Sequence, residues 1–284
     1  MNLKILKIFN KYIFPILLGI LIQMVLGYSG LIVYIICLFL LFCWKRRKKF
    51  FAYFGKISNI KGNQENSAKW FYRAYLVDKT DNLIATDAAY TLLRLGDLEK
   101  AKQILMGVDL ETLTGEAKVK AANNISILYW KSGNLSEAIS SLENMYNSNE
   151  KSTSLYGNLT FYYILDGNIE KALAFAIESF NYNSSDIVIL ENLARIYHLT
   201  GDLENAKANY DKLEKLGPTY PEAWYNIALF FEKTKEYEKA IKALNSALNC
   251  KFSFLSNVTK DQVETKLKNF SMVQFSELEN LQNS

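Results

Sequence analysis

Hydrophobic and polar residues follow two different patterns along this chain of 284 residues. The first is an unbroken apolar run near the N-terminus, in which no residue from Tyr12 to Trp44 carries a charge. The second fills the rest of the chain, where small and large apolar residues recur every three or four positions and are interrupted by glycine–polar pairs. Apolar positions at that spacing form one face of an α-helix. The pattern therefore predicts an apolar N-terminal segment followed by an all-α domain.

The helical part contains an internal repeat. In four copies a glycine is followed by a polar residue and, five positions after the glycine, by an alanine; a fifth copy has Lys235 in place of the glycine. The alanines are separated by 37 residues and then three times by 34, a period that is typical of stacked helical hairpins. An earlier, divergent copy is expected at Gly62, with Ser67 in the alanine position. The alanines are Ala101, Ala138, Ala172, Ala206 and Ala240.

The repeat resembles that of the tetratricopeptide family. In the clearest copy the family positions are occupied by Trp224, Ile227, Ala228, Phe231, Ala240, Leu244 and Ala247. The resemblance implies an all-α, right-handed superhelical solenoid of antiparallel helix pairs. The implied repeats are residues 48–81, which are divergent, 82–118, 119–152, 153–186, 187–220 and 221–254. Residues 255–284 are expected to form a capping helix and a tail, because a solenoid exposes an apolar end that needs a cover.

The apolar run predicts a transmembrane helical hairpin within residues 1–47. Tyr28, Ser29 and Gly30 separate two apolar halves. A half of about 14–16 residues reaches about 21–24 Å at 1.5 Å per residue, which is less than the hydrocarbon core of about 30 Å. Two short spans with local thinning of the bilayer are one interpretation. A re-entrant hairpin that does not fully cross is the other.

Charge predicts how this hairpin is oriented. Residues 1–61 contain ten lysines and arginines and no acidic residue, and the basic residues flank the apolar run on both sides. The positive-inside rule then places both ends of the hairpin in the cytoplasm. The chain is thus expected to be a multi-pass protein of the cell membrane, with cytoplasmic repeats and lipid contacts through residues 1–49. The remainder carries 23 basic and 29 acidic residues, so no nucleic-acid partner is expected.

The sequence contains no motif for catalysis, for a cofactor or for a metal. Neither a P-loop nor a dinucleotide-binding glycine motif occurs. The single histidine, His198, has no cysteine or acidic partner at metal-ligand spacing, and the three cysteines form no metal-spaced pair. The chain is therefore predicted to be no enzyme and to need no cofactor.

A column of asparagines marks a candidate binding surface. They follow one another at intervals of 34 residues, each two positions before the small residue of its first helix. The resemblance places this position on the concave groove, where long superhelices of the family use a similar ladder to hold an extended peptide. A carboxamide suits that task because it offers a donor and an acceptor to one peptide unit. The alternative is that these side chains brace local backbone. They are Asn124, Asn158, Asn192 and Asn226.

The remaining candidate peptide-binding residues also come from groove positions of the resemblance. They are Trp130, Phe161, Leu165, Arg195, His198 and Tyr225. Together these features predict a membrane-tethered, non-enzymatic adaptor that binds an extended segment of a partner protein in its concave groove. An assembly or regulatory subunit of a membrane protein complex is the alternative function.

Overall fold

The computed structural model describes residues 13–270, and every regular element in that range is helical. The three lysines predicted to precede the hairpin, and the expected continuation of the last helix beyond residue 270, lie outside the described residues. A 3-10 turn, Leu110–Thr112, lies between the fourth and fifth helices. The helices are α1 (Phe14–Ile60), α2 (Gln64–Val77), α3 (Asn82–Leu95), α4 (Leu98–Leu105), α5 (Gly115–Lys131), α6 (Leu135–Asn147), α7 (Thr153–Leu165), α8 (Ile169–Tyr182), α9 (Ile187–Thr200), α10 (Leu203–Leu216), α11 (Pro221–Lys233), α12 (Tyr237–Asn249) and α13 (260–270).

Consecutive helices pack as pairs, and the pairs stack side by side. The end of α1 pairs with α2, and α3 with α4, α5 with α6, α7 with α8, α9 with α10 and α11 with α12. The first helices of successive pairs also contact each other, from α3 through α5, α7 and α9 to α11. This confirms the predicted all-helical solenoid.

Small residues allow these close contacts between helices. All five repeat alanines of the second helices have no exposed surface, at 0% each. The small residues at the matching position of the first helices are equally buried, with Ser126 at 0% and Thr160 at 1% exposed. Two helix backbones approach closely only where no large side chain intervenes. The fixed spacing of these residues in the sequence is therefore the reason that the pairs nest.

The turns within the pairs explain the glycine–polar signature. Gly201 has a φ of 82°, in the left-handed region that glycine adopts without steric penalty. The next residue, Asp202, caps the following helix by accepting a hydrogen bond from the backbone N–H of Asn205 at 3.1 Å. Lys235, which replaces the glycine in the last copy, adopts the same conformation with a φ of 61°.

The N-terminal apolar segment folds back on itself. Helix α1 has one residue with non-helical dihedral angles, Gly27, at a φ of 67° and a ψ of −163°. Across this bend the Tyr34 hydroxyl donates to the backbone oxygen of Pro15 at 2.8 Å. In a straight helix these two residues would lie about 28 Å apart. The arms therefore form a helical hairpin whose bend is at Gly27, just before the Tyr28-Ser29-Gly30 separator that the sequence suggested.

The second arm of the hairpin continues without a break into the first helix pair. Gly55 is buried, and the Ser67 hydroxyl donates to its backbone oxygen at 3.0 Å. At the same junction the Lys48 ammonium contacts the carboxylates of Asp78 at 2.8 Å and Asp81 at 2.7 Å. The hydrogen bond from Lys48 lowers the pKa of Asp78 from its usual value of 3.8 to about 2. The hairpin and the solenoid are therefore joined by one helix and not by a linker.

Helix α13 covers the last pair. Thr259 and Gln262 exchange hydrogen bonds with each other's backbone N–H groups, at 3.2 and 2.8 Å, which is a capping box. Val263 and Phe270 are 0% and 3% exposed and belong to the same core cluster as α11 and α12. The apolar end of the solenoid is thus shielded from solvent.

Candidate functional site

A cavity of about 480 Å³ lies on the face formed by the first helices of the pairs. It is open to solvent on one side and combines aromatic rings with amide and carboxylate groups. The helices that contribute to it are α3, α5, α7, α9 and α11, with the segment that follows α12. Its principal side chains are Tyr90, Arg94, Ile127, Trp130, Asn158, Phe161, Glu191, Asn192, Tyr220 and Glu222.

Residues 251–257, here called the strap, lie across this concave face. The strap leaves the last repeat and reaches the end of α3, where the Phe254 backbone N–H donates to the backbone oxygen of Arg94 at 3.3 Å. The Phe254 ring rests on Gly96, since a Cβ added there would lie 2.8 Å from the ring. The protein therefore occupies part of its own groove, which the sequence did not predict.

The strap presents its apolar residues on a tight turn. The Ser256 backbone N–H donates to the Ser253 backbone oxygen at 3.0 Å, and the Ser253 N–H donates to the Ser256 hydroxyl at 3.2 Å. These two bonds close a β-turn with Phe254 and Leu255 at its tip. Leu255 packs against the core cluster of the first helix pairs. The turn thus anchors the strap at the N-terminal end of the groove.

Two groove side chains hold the backbone of the strap on its C-terminal side. The Lys131 ammonium donates to the backbone oxygen of Ser256 at 3.2 Å and lies 4.0 Å from the centre of the Trp130 ring. Burial lowers the pKa of Lys131. The Glu222 carboxylate accepts a hydrogen bond from the backbone N–H of Asn257 at 2.7 Å. One side chain thus recognises a carbonyl and the other an N–H, which is how a groove contacts main chain without regard to side-chain identity.

Two of the four asparagines are buried between neighbouring repeats. Asn124 and Asn192 are 3% and 1% exposed. The amide of Asn124 donates to the backbone oxygen of Thr86 at 2.9 Å, and that of Asn192 donates to the backbone oxygen of Gly157 at 2.8 Å. Each bond joins a first helix to the first helix of the preceding pair. These are the contacts of the bracing alternative.

The other two asparagines donate to side chains of the preceding repeat. Asn158 donates to the carboxamide oxygen of Asn123 at 2.8 Å, and Asn226 donates to the carboxylate of Glu191 at 2.5 Å. In this conformation all four amide nitrogens are engaged within the protein. Peptide binding by the column stays a prediction, with Asn158 and Asn192 the members that also line the cavity.

The other predicted site residues separate into two groups. Trp130 and Phe161 lie together in the cavity, with ring centres 5.1 Å apart in an edge-to-face contact. The second group does not line the cavity. It consists of Leu165, Arg195, His198 and Tyr225.

His198 and Tyr225 have other surroundings. The His198 ring contacts two core aromatic rings, and burial lowers its pKa. Tyr225 lies beside α13, in a shallow depression lined by Thr265 and Lys266. The predicted groove residue Tyr225 therefore faces α13 and not the cavity.

Glu191 is the buried acid of the cavity. It is 5% exposed, and this burial raises the pKa of its carboxyl group, although the nearby guanidinium of Arg195 acts in the opposite direction. Its oxygen accepts from the amide of Asn226. Among residues 13–270 there is no group of three or more histidine, cysteine or acidic side chains that could hold a metal ion.

The strap was not predicted, because residues 251–254 were assigned to the last repeat and residues 255–257 to the capping segment. A signal was nevertheless present, since Phe252, Phe254 and Leu255 form an apolar group between α12 and α13. A segment with three large apolar residues in seven is more typical of a packed strap than of a solvated loop.

Comparison with known proteins shows which family the last helix pairs resemble. A family model described as Tetratricopeptide repeat matches residues 190–252, which covers most of α9 and all of α10 to α12. Helices α9 to α12 are thus similar in sequence to tetratricopeptide repeats. The family is typically a non-enzymatic scaffold for protein interactions, and the preceding pairs share its fold.

Solved structures of the same fold cover most of the chain. A tetratricopeptide repeat protein from Parabacteroides merdae has a TM-score of 0.64 at 15% identity, covering 92% of this chain and 99% of its own. PilW, a type IV pilus biogenesis factor, has a TM-score of 0.56 at 13% identity, covering 70% and 91%. PilF of Pseudomonas aeruginosa has a TM-score of 0.53 at 12% identity, covering 79% and 98%. Identities this low show the fold alone. None of the curated proteins matches the chain.

Proposed function

We propose that this protein is a non-enzymatic, membrane-tethered scaffold that binds a segment of a partner protein in the concave groove of its repeats. The observation that carries the proposal is the cavity of about 480 Å³, in which paired aromatic rings adjoin groups that can bond to main chain. Aromatic side chains dominate the binding energy of protein interfaces because they bury a large area with little loss of conformational entropy. In this proposal Trp130 and Phe161 are the central contacts.

The polar part of the groove fits the same role. Lys131 and Glu222 already bond to main-chain groups of the strap. A partner segment at this place would be held by the same donor and acceptor, and Asn158 would add a carboxamide at the cavity wall. A segment that is disordered before binding loses conformational entropy when it docks, so we expect modest affinity and ready exchange.

Tethering is supported by the surface of the hairpin. Helix α1 contains a window of 18 residues with a mean hydropathy of 2.5, none of it buried within the protein. Single residues are widely exposed, with Met24 at 78% and Val25 at 71%. A continuous apolar surface of this size needs a non-aqueous environment. Five consecutive basic residues, 45–49, follow the second arm, and the positive-inside rule then favours cytoplasmic repeats.

Site-specific cross-linking tests the binding part of the proposal. Phe161 is replaced by a photoreactive phenylalanine analogue in the full chain within intact cells, and Ile177, exposed on α8, carries the same analogue as the control. We expect a covalent adduct with another protein at position 161 and none at position 177. Equal labelling at the two positions, or no adduct at 161, would exclude a partner in the groove.

Protease treatment of sealed vesicles tests the tether. We expect the repeats to sediment with membranes after an alkaline wash and to be digested only when the protease reaches the cytoplasmic face. Release of the intact chain by the wash would show that α1 is no membrane anchor. Digestion from the opposite face alone would show that the orientation is reversed.

A subunit of a membrane protein complex is the second candidate. It is favoured by the unbroken helix that joins the hairpin to the repeats, because a rigid connection fixes the solenoid relative to the membrane. In that case the photoreactive residue captures a partner from Phe39, which is 63% exposed on the second arm, and not from position 161.

A further inference from the structure

The contacts of the strap show which chemical groups the groove binds. It makes contacts at both ends of the concave face, to Arg94 and Gly96 near the first pairs and to Glu222 in the last one. Nothing in the repeat pattern requires this path, since α12 and α13 are adjacent and both belong to the last core cluster.

Each strap contact has the character of a ligand contact. The backbone oxygen of Arg94 lies in the last turn of α3, where helix carbonyls lack partners within their own helix, and it receives the Phe254 N–H. The ammonium of Lys251 bonds to the backbone oxygen of Gly62, just beyond the C-terminus of α1, where the helix dipole attracts a cation. Such carbonyls are available to any chain that enters the groove.

The strap makes apolar contacts at the tip of its turn and also through Phe252, which packs on the last core cluster. Leu255 packs on the first core cluster, while Phe254 covers Gly96 and remains 44% exposed. Ser253 and Ser256 close the turn with hydrogen bonds to one another. The recognised unit is therefore a serine-closed turn with an aromatic residue and a leucine at its tip, preceded by a lysine.

We propose that the strap is an internal ligand of the groove, and that the partner displaces it with a serine-closed turn of its own that carries an aromatic residue followed by leucine. The inference rests on the proposed function and specifies its partner segment. A turn replaces the extended segment that the resemblance implied, because the groove of this chain holds a turn. The strap also regulates access, since a partner binds only while the strap is displaced.

Tethering makes the internal ligand a strong competitor. The apparent dissociation constant of an added peptide is the intrinsic one divided by the fraction of molecules with an open groove. A strap that is closed in about 90% of molecules weakens binding about tenfold. Removing the apolar tip should restore the intrinsic affinity.

The experiment measures binding of a fluorescent peptide with the sequence of residues 250–258 to the purified full chain by fluorescence anisotropy. The strap variant is Phe254→Ala/Leu255→Ala. The control variant, Ile177→Ala/Leu216→Ala, removes two exposed apolar side chains of second helices. A second peptide has alanine at both tip positions. We expect the strap variant to bind the first peptide at least tenfold more tightly than the unmodified chain, the control variant to match the unmodified chain, and the second peptide to bind neither.

Three outcomes would overturn the proposal. They are equal affinity of the strap variant and the unmodified chain, equal binding of the two peptides, and a dimer of the unmodified chain that the strap variant loses, since the last shows that the strap docks on a second copy. The helical circular dichroism of each variant is measured first. If the double substitution unfolds the chain, Phe254→Ala alone, which keeps the contact of the partly buried Leu255, is used with the same criteria.

The result is independent of the test of the proposed function. Capture of a partner from position 161 without any peptide binding refutes the internal ligand and leaves the scaffold. Peptide binding without capture in cells refutes the scaffold as proposed and leaves the internal ligand.

Discussion

Removal of the buried carboxamides separates a bracing role from a ligand-binding one. Asn192 donates to the backbone oxygen of Gly157 at 2.8 Å and is 1% exposed, so Asn192→Ala breaks a buried bond between two repeats. A hydrogen bond of this kind contributes about 0.5–1.5 kcal/mol net, and the space left by the shortened side chain adds to the loss. Among residues 13–270 the carboxamide oxygen of Asn192 has no hydrogen-bond partner, so its removal offsets part of this loss of stability. We expect a net destabilisation of about 1–2 kcal/mol.

The same reasoning applies to the equivalent bond one repeat pair earlier. Asn124 donates to the backbone oxygen of Thr86 at 2.9 Å and is 3% exposed. The two bonds share no partner, so their effects should add. The free energy of unfolding of Asn124→Ala/Asn192→Ala should therefore be lower by about 2–4 kcal/mol. The free energy of unfolding of a typical domain is about 5–15 kcal/mol. The double variant should therefore be folded but clearly weakened.

Urea unfolding followed by circular dichroism at the helix minimum measures this loss. Asn245→Ala is the matched control, because Asn245 is exposed and its side-chain amide donates within its own helix, to the backbone oxygen of Ile241 at 3.0 Å. Its midpoint should shift by less than the equivalent of about 0.5 kcal/mol. An unfolding curve of Asn192→Ala that superimposes on that of the unmodified chain, together with loss of partner capture, would refute the bracing role and support peptide contact.

Three further predictions follow from single sites. Glu191→Gln should raise the urea midpoint of unfolding at pH 7 and leave it unchanged near pH 4. Burial raises the pKa of the Glu191 carboxyl group, so its ionisation as the pH rises destabilises the folded state, and glutamine cannot ionise. Asp78→Asn should reduce the loss of helical circular dichroism on acidification. Lys48 lowers the pKa of Asp78 to about 2, so the stabilisation by the Asp78 carboxylate is present above its usual pKa and is lost as the pH falls to about 2. Gly55→Ala should destabilise the first helix pair by about 1–3 kcal/mol in urea unfolding, since the new Cβ would lie 2.7 Å from the ring of Phe71.

Several features of this protein could be predicted from its sequence because they depend on the spacing of residues along the chain. Ala172 and Ala206 are fully buried where the repeat places them, since a small residue every 34 positions has one structural explanation in a chain of helices. The left-handed turn at Lys235 shows how strongly the period determines the backbone, because a lysine there adopts the conformation that glycine has in the other copies.

The site was less predictable, because side-chain amides have several partners within reach. Asn192 offers the same donor to a peptide in the groove and to the carbonyl of Gly157, and only the distance between neighbouring first helices decides between them. The groove position of Arg195 was inferred from the family pattern, but in this chain it is not among the cavity-lining residues.

By itself the sequence determined the helices and their pairing, because both follow from contacts between residues that are close in the chain or separated by one period. Only the tertiary structure decided what fills the concave face. The Phe254 N–H and the Arg94 carbonyl are 160 residues apart in sequence, and no spacing rule connects them. Their contact depends on the accumulated curvature of the helix pairs between them, which is a property of the whole solenoid and not of any one repeat.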